Sequence, residues 1–293
     1  MTALRLLATL VVLVMVCPGA AQAQESVRFH AAGNPPTALQ KRMARMQGEE
    51  AKATPGLTLH GQLHRPTSGS APFPALVLLH SCRGITGAID EWAVQLADWG
   101  YLTLVVDSYG PRKHRPDCTS YDEMESVDQT FDALGALQFL SRRDDVKADQ
   151  IGLIGWSIGG SKVLSALNRI GVHNLYPEKF RHGIAFYPSC LAASGPFIGP
   201  LLILIGGADD WTKARRCRTL RDANVNSAHP LRLRIFAAAY HFFDEPEVGA
   251  ARYRGQIENR ENSPTRGATW GNDPAAQREA LTQVRAFLAQ QRR

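Results

Sequence analysis

The chain has 293 residues, of which 44% are hydrophobic and 20% charged, with a formal net charge of +6. That length, less an N-terminal leader, fits one α/β domain with a sizeable core. The arginines are scattered without interleaved aromatics, which argues against a nucleic-acid partner and for a solubilising surface charge.

Residues 1–23 read as a signal peptide to be removed. Arg5 supplies a positive n-region, residues 6–16 form an apolar stretch, and Ala21-Gln22-Ala23 is a cleavage signal. The stretch is too short to span a bilayer, and no later run is apolar enough to do so. The residues before Cys17 are not the small ones a lipid-attachment signal needs. The expected location is therefore periplasmic or secreted. Cys82, Cys118, Cys190 and Cys217 remain. An even set in an exported chain implies two disulfides, with three connectivities open.

Residues 24–56 read as an N-terminal extension with a helix over 37–52, and residues 57–293 as a single domain. Alternation over 57–64 predicts an early antiparallel strand. His60 and His64 fall on one face of it and are read as solvent-facing rather than as metal ligands. A turn-rich loop at 66–74 leads to an apolar strand at 75–80. An amphipathic helix over 88–99 ends at Gly100 and is followed by a strand at 101–106. A long helix is predicted over 121–142, then a strand at 151–154 and a helix over 162–169. Further strands follow at 183–187, 201–205 and 231–236, with a helix over 213–223. Residues 244–272 are polar and punctuated by Gly and Pro, and read as an extended loop. Asp273 and Pro274 open a closing helix over 274–290. Apolar strands alternating with helices predict an α/β fold with a mostly parallel sheet covered on both faces.

The chain is organised around Gly155-Trp156-Ser157-Ile158-Gly159. A G-x-S-x-G between a buried strand and a helix is a nucleophile elbow, whose glycines let backbone segments pass close to the serine. A serine hydroxyl is a weak nucleophile and needs a base, a carboxylate to orient that base, and oxyanion donors. In parallel-sheet hydrolases the acid and then the histidine follow the serine, at the ends of later strands. Asp209 and Asp210 directly follow the strand at 201–205. Asp209 is the expected acid, and Asp210 is expected to start the next helix. His241, between Tyr240 and Phe242 past the last strand, is the expected base. The oxyanion donors should be the Ile158 N–H and an N–H from the loop Ser81-Cys82-Arg83-Gly84-Ile85. Trp156 and Tyr240, beside the serine and the histidine, are candidate substrate contacts.

The segments LLHSCRGI, VVDSYGPR, GWSIGG, GGADDWT and AYHFFD, in that order, resemble the dienelactone hydrolase family of α/β-hydrolases, and in particular its exported branch with paired cysteines. The resemblance spans roughly residues 57–244. It implies that Cys82, matched through Gly84, gives the second oxyanion N–H, and that Arg112 lies near one of two arginines that bind a substrate carboxylate. The implied sheet order brings Cys82 beside Cys118 and Cys190 beside Cys217, so those two disulfides are expected. Three departures set this chain apart. Ser157 replaces the cysteine of the best-known members, Ser81 stands where they have an acidic residue, and Asp244 and Glu245 occupy the stretch of the second arginine.

The expected protein is an exported serine hydrolase of carboxylic esters and possible lactones, acting on a small molecule through Ser157, His241 and Asp209 without metal or organic cofactor. Peptide or amide hydrolysis on the same triad is the alternative within enzymes. A non-catalytic envelope binding protein on a hydrolase scaffold is the alternative outside them.

Overall fold

The structure, a computed structural model, describes residues 24–261 and 265–292. The signal peptide expected over residues 1–23 lies outside the described residues. The core is an eight-stranded sheet in the order β1-β2-β4-β3-β5-β6-β7-β8. Its strands are β1 (Gln24–His30), β2 (Thr58–His64), β3 (Phe73–Leu79), β4 (Leu102–Asp107), β5 (Val146–Trp156), β6 (Gly183–Phe186), β7 (Leu201–Gly206) and β8 (Leu231–Phe236). From β4 to β8 all pairs are parallel, while β2 pairs antiparallel with β1 and β4. At the centre, Val77 sits in register with Leu104 on one side and Leu153 on the other. Strands buried on both faces need apolar residues at successive positions, and residues 75–79 and 201–205 are all buried apolar side chains.

The helices are α1 (Ala38–Met46), α2 (Gly87–Asp98), α3 (Tyr121–Glu125), α4 (Gln129–Ser141), α5 (Ile158–Leu167), α6 (Ala214–Ala223) and α7 (Pro274–Gln291). The helix α7 starts as expected, with the Asp273 carboxylate accepting the Ala275 and Ala276 N–H groups and Pro274 in the first turn.

Several elements depart from the sequence reading. Residues 24–30 are the edge strand β1, and Val27 and Phe29 enter the core, so the sheet begins inside the expected extension. The helix expected over 37–52 shortens to α1, opened by a Thr37–Gln40 capping box, and none of its residues is buried. The helix expected over 121–142 breaks at residues 126–128, because the Asp128 side chain accepts the Thr130 N–H and caps a new helix. His64, expected to face solvent, is buried, whereas His60 is exposed. The loop expected over 244–272 contains an antiparallel hairpin, β9 (Arg252–Glu258) and β10 (Arg266–Trp270). That hairpin bears directly on the site.

Candidate active site

Ser157 stands between β5 and α5 with φ 53° and ψ −113°. This is left-handed backbone that a side-chain-bearing residue adopts only under restraint from its surroundings. The restraint is close packing. A Cβ on Gly155 would lie 2.3 Å from the Gly159 carbonyl oxygen, and one on Gly159 would lie 2.6 Å from the carbonyl oxygens of Leu79 and His80. The elbow glycines therefore let α5 start directly against the ends of β5 and β3. The Ser157 N–H is held by the Phe186 carbonyl at 3.0 Å. Its side chain makes no capping bond to α5, so the Ile158 N–H at the first helical position keeps the free donor character of a helix start.

His241 lies past β8 and is fully buried. Its Nε2 is 2.9 Å from Ser157 Oγ, and its Nδ1 is 2.8 Å from Asp209 Oδ2. A carboxylate only accepts, so Nδ1 carries the hydrogen and Nε2 accepts from the serine hydroxyl. Asp209 is fixed in turn. Its Oδ1 accepts the N–H groups of Trp211 and Thr212, each at 2.9 Å, and its Oδ2 accepts the Thr212 hydroxyl at 2.9 Å. The Thr212 hydroxyl is also 3.1 Å from His241 Nδ1. The rings of Tyr187, Phe242 and Trp211 surround the imidazole at centroid distances of 4.5, 4.5 and 4.7 Å. They exclude water from this chain of hydrogen bonds, which strengthens it.

Asp210 points elsewhere. It does not start α6, which begins at Ala214. Its carboxylate instead accepts the N–H (2.7 Å) and hydroxyl (2.9 Å) of Thr269 on β10. The two adjacent aspartates thus divide into one that holds the histidine and one that holds the hairpin.

Cys82 and Gly84 lie in the turn after β3, where Gly84 N–H bonds the Ser81 carbonyl at 3.1 Å and Gly84 takes φ 73°. Cys82 is fully buried and disulfide-bonded to Cys118, and Cys190 to Cys217. The first bridge ties the turn after β3 to the segment entering α3. The second ties the segment after β6 to α6.

Above Ser157 opens a small cleft, exposed to solvent. Its apolar wall is Tyr121, Met124, Ile158, Leu191 and Trp211, and its polar groups are Ser161, Ser189, Thr212, Arg260 and Glu261. None of the three candidate substrate contacts is among them. Trp156 is buried, and its indole N–H is spent on Asp244 at 2.8 Å. Tyr240 is half-buried outside the cleft. Arg112 makes a bidentate pair with buried Asp132, at 2.8 Å for each bond, and a further bond to the Ser108 carbonyl. The cleft-lining arginine is Arg260, two residues past β9, stacked over Tyr121 at 3.8 Å and paired with Glu258 and Asp122. Thr212 was missed within GGADDWT, although a hydroxyl three residues after an aspartate is a turn-forming signal. Arg260 had no local signal, since only the tertiary return of the hairpin brings it here. Among the described residues no cluster of His, Cys, Asp and Glu could hold a metal ion.

The sequence model of the dienelactone hydrolase family matches residues 59–291. A protein of Bradyrhizobium sp. named "Probable 2-oxo-3-(5-oxofuran-2-ylidene)propanoate lactonase" is 24% identical over 185 residues, covering 59% of this chain and 74% of its own. Among solved structures, a protein of Klebsiella pneumoniae subsp. pneumoniae MGH 78578 assigned as a dienelactone hydrolase superposes with a TM-score of 0.62 at 16% identity, over 92% of this chain and 99% of that one. A dienelactone hydrolase-like promiscuous phosphotriesterase from metagenomic libraries superposes with a TM-score of 0.61 at 16% identity, over 92% and 98% of the two chains. At that identity the superpositions establish the α/β-hydrolase fold.

Proposed function

The chain belongs to the dienelactone hydrolase family and is a hydrolase acting on ester bonds, and from that premise we propose an exported serine esterase working through Ser157, His241 and Asp209. The observation that carries this reading is the unbroken chain from Asp209 Oδ2 through His241 to Ser157 Oγ, at 2.8 and 2.9 Å, with the serine on a left-handed turn. Ser157 Oγ attacks the substrate carbonyl carbon as His241 Nε2 takes its proton. The N–H groups of Ile158 and Cys82 receive the charge that develops on the carbonyl oxygen. Collapse breaks the bond to the leaving oxygen, which takes the proton back from His241. Water then repeats the sequence on the acyl-enzyme and regenerates the serine. Asp209 stabilises the imidazolium and keeps the tautomer.

The cleft favours a compact, largely apolar group beside the serine, given Met124, Ile158, Leu191 and Trp211 on its walls. A lactone closes the same bond within a ring and fits the same chemistry. Two buried disulfides suit an oxidising compartment, in keeping with export, and among the described residues no helix is long and apolar enough to cross a membrane. Ser157→Ala tests the reading. It should abolish p-nitrophenyl acetate turnover and labelling by a fluorophosphonate probe while leaving the circular dichroism spectrum unchanged. An active Ser157→Ala enzyme refutes it.

A further inference from the structure

A second carboxylate lies at the heart of the site, outside the proton relay. Asp244, three residues beyond His241, is fully buried. Its Oδ2 accepts the indole N–H groups of Trp156 at 2.8 Å and Trp92 at 3.0 Å, and its Oδ1 accepts the Tyr187 hydroxyl at 2.8 Å. Two of these donors reach the reacting groups directly. Trp156 is the residue before Ser157, and the Tyr187 ring packs 4.5 Å from the His241 imidazole. The neighbouring Glu245, also buried, pairs with Arg83, the residue after Cys82.

A buried carboxylate costs stability, and apolar residues of the same volume would serve a core better. This one is kept with three donors converging on it, drawn from the elbow, from the residue after β6 and from α2. A hydrogen-bonded anion of this kind has one low-energy arrangement, so it fixes its donors relative to each other more narrowly than dispersion contacts do. Nucleophile and base must hold their mutual geometry to well under an ångström for attack and proton transfer to coincide.

We propose that Asp244 is a positioning residue that sets the separation of Ser157 and His241, by binding Trp156 on the serine side and Tyr187 on the histidine side from the same turn that carries His241. Glu245 extends the connection to the oxyanion turn through Arg83. The inference rests on the Ser157–His241–Asp209 reading and adds to it a second carboxylate that never touches substrate.

The two tryptophans provide a matched test. Each sends an indole N–H to the same oxygen of Asp244, and each is buried. Trp156 adjoins Ser157, whereas Trp92 sits on α2, which carries no residue of the cleft. Trp156→Phe and Trp92→Phe, each losing one ring and one donor, should lower the melting temperature to similar extents. Only Trp156→Phe should lower kcat for p-nitrophenyl acetate, by about tenfold or more with KM within about twofold. Tyr187→Phe should behave like Trp156→Phe. Wild-type kcat in Trp156→Phe and Tyr187→Phe overturns the proposal. So does a kcat loss in Trp92→Phe that matches the others, since activity would then follow stability alone. Ser157→Ala in the same series separates the two ideas. If it is inactive while Trp156→Phe and Tyr187→Phe are normal, the triad stands and the positioning role falls. If it is active, the triad reading itself falls.

Discussion

Replacing Asp209 by asparagine changes one atom and should remove most of the activity. The hydrogen bonds around the carboxylate decide which way the new amide faces. The N–H groups of Trp211 and Thr212 both point at Oδ1, at 2.9 Å each. If the amide carbonyl turned toward His241 instead, its NH2 would confront those two donors. Each would lose its acceptor at a cost of about 1–3 kcal/mol, or about 2–6 kcal/mol for both. The carbonyl therefore stays at the Oδ1 position and the NH2 faces His241 Nδ1. A donor there forces Nδ1 to accept, which moves the imidazole hydrogen to Nε2. The imidazole then presents a hydrogen to Ser157 and cannot take one from it. In the serine-protease triad the equivalent exchange costs roughly 10⁴ in kcat. The loss here should be somewhat smaller, about 10³, because the Thr212 hydroxyl at 3.1 Å offers Nδ1 a second acceptor that preserves some of the productive tautomer. The double variant Asp209→Asn/Thr212→Val should then fall the rest of the way. Asp210→Asn should keep its kcat within about twofold and cost roughly 1 kcal/mol in stability, since only its bonds to Thr269 are altered. The assay is kcat for p-nitrophenyl acetate together with urea unfolding of each variant. An inactive Asp210→Asn beside an active Asp209→Asn would show that the wrong carboxylate had been chosen. Equal activity of the single and double variants would remove the role given to Thr212.

Two buried groups should give opposite pH trends. His182 is buried and lies against Phe287, and burial pulls its pKa from 6.5 down to about 3. Only the unfolded chain takes up its proton as pH falls from 6.5 toward 3. The wild type should therefore lose about 1.4 kcal/mol per pH unit over that range relative to His182→Leu, measured by denaturant unfolding. Burial, with Asp244 adding to it, pushes Glu245 from 4.5 up to about 8. The unfolded chain releases that proton first as pH rises, so the stability of Glu245→Gln relative to wild type should increase from pH 4.5 to 8 and level off above. A pH-independent difference in either pair would contradict the assigned environment. Cys82→Ala/Cys118→Ala opens a bridge between residues 36 apart, which should cost about 4 kcal/mol on unfolding. Because Cys82 is also the proposed oxyanion donor, this double variant should lose kcat as well. Cys190→Ala/Cys217→Ala should lose chiefly stability. Equal kcat losses in the two double variants would argue against the Cys82 assignment.

Several features could be read from local sequence because they are local in cause. Ser157, with Gly155 and Gly159 two residues to either side, follows an apolar run and precedes helical spacing, and that local context marks a strained strand-to-helix turn. Residues 201–205 are apolar at every position because both faces of the sheet are covered. Asp273-Pro274 opens α7 through a side chain that reaches its own neighbours. Readings that failed depended on partners distant in the chain. Val27 and Phe29 could not be recognised as core until β2 was in place beside them. Trp156 resembled a substrate contact until the fold placed Asp244 against its indole nitrogen. Arg112 seemed free to meet an anion until Asp132 came within 2.8 Å, and Arg260 reaches the cleft only because a hairpin returns to it.

By itself the sequence determined the α/β class and predicted the elbow serine and, in order after it, the aspartate and the histidine, since strained turns and strand ends are written into neighbouring residues. Tertiary structure alone decided which arginine faces the cleft, and that a second buried carboxylate, Asp244, binds both Trp156 and Tyr187. Each of these is a question of distance between segments far apart in the chain. Hydrogen bonds answer it only once the sheet has brought those segments together.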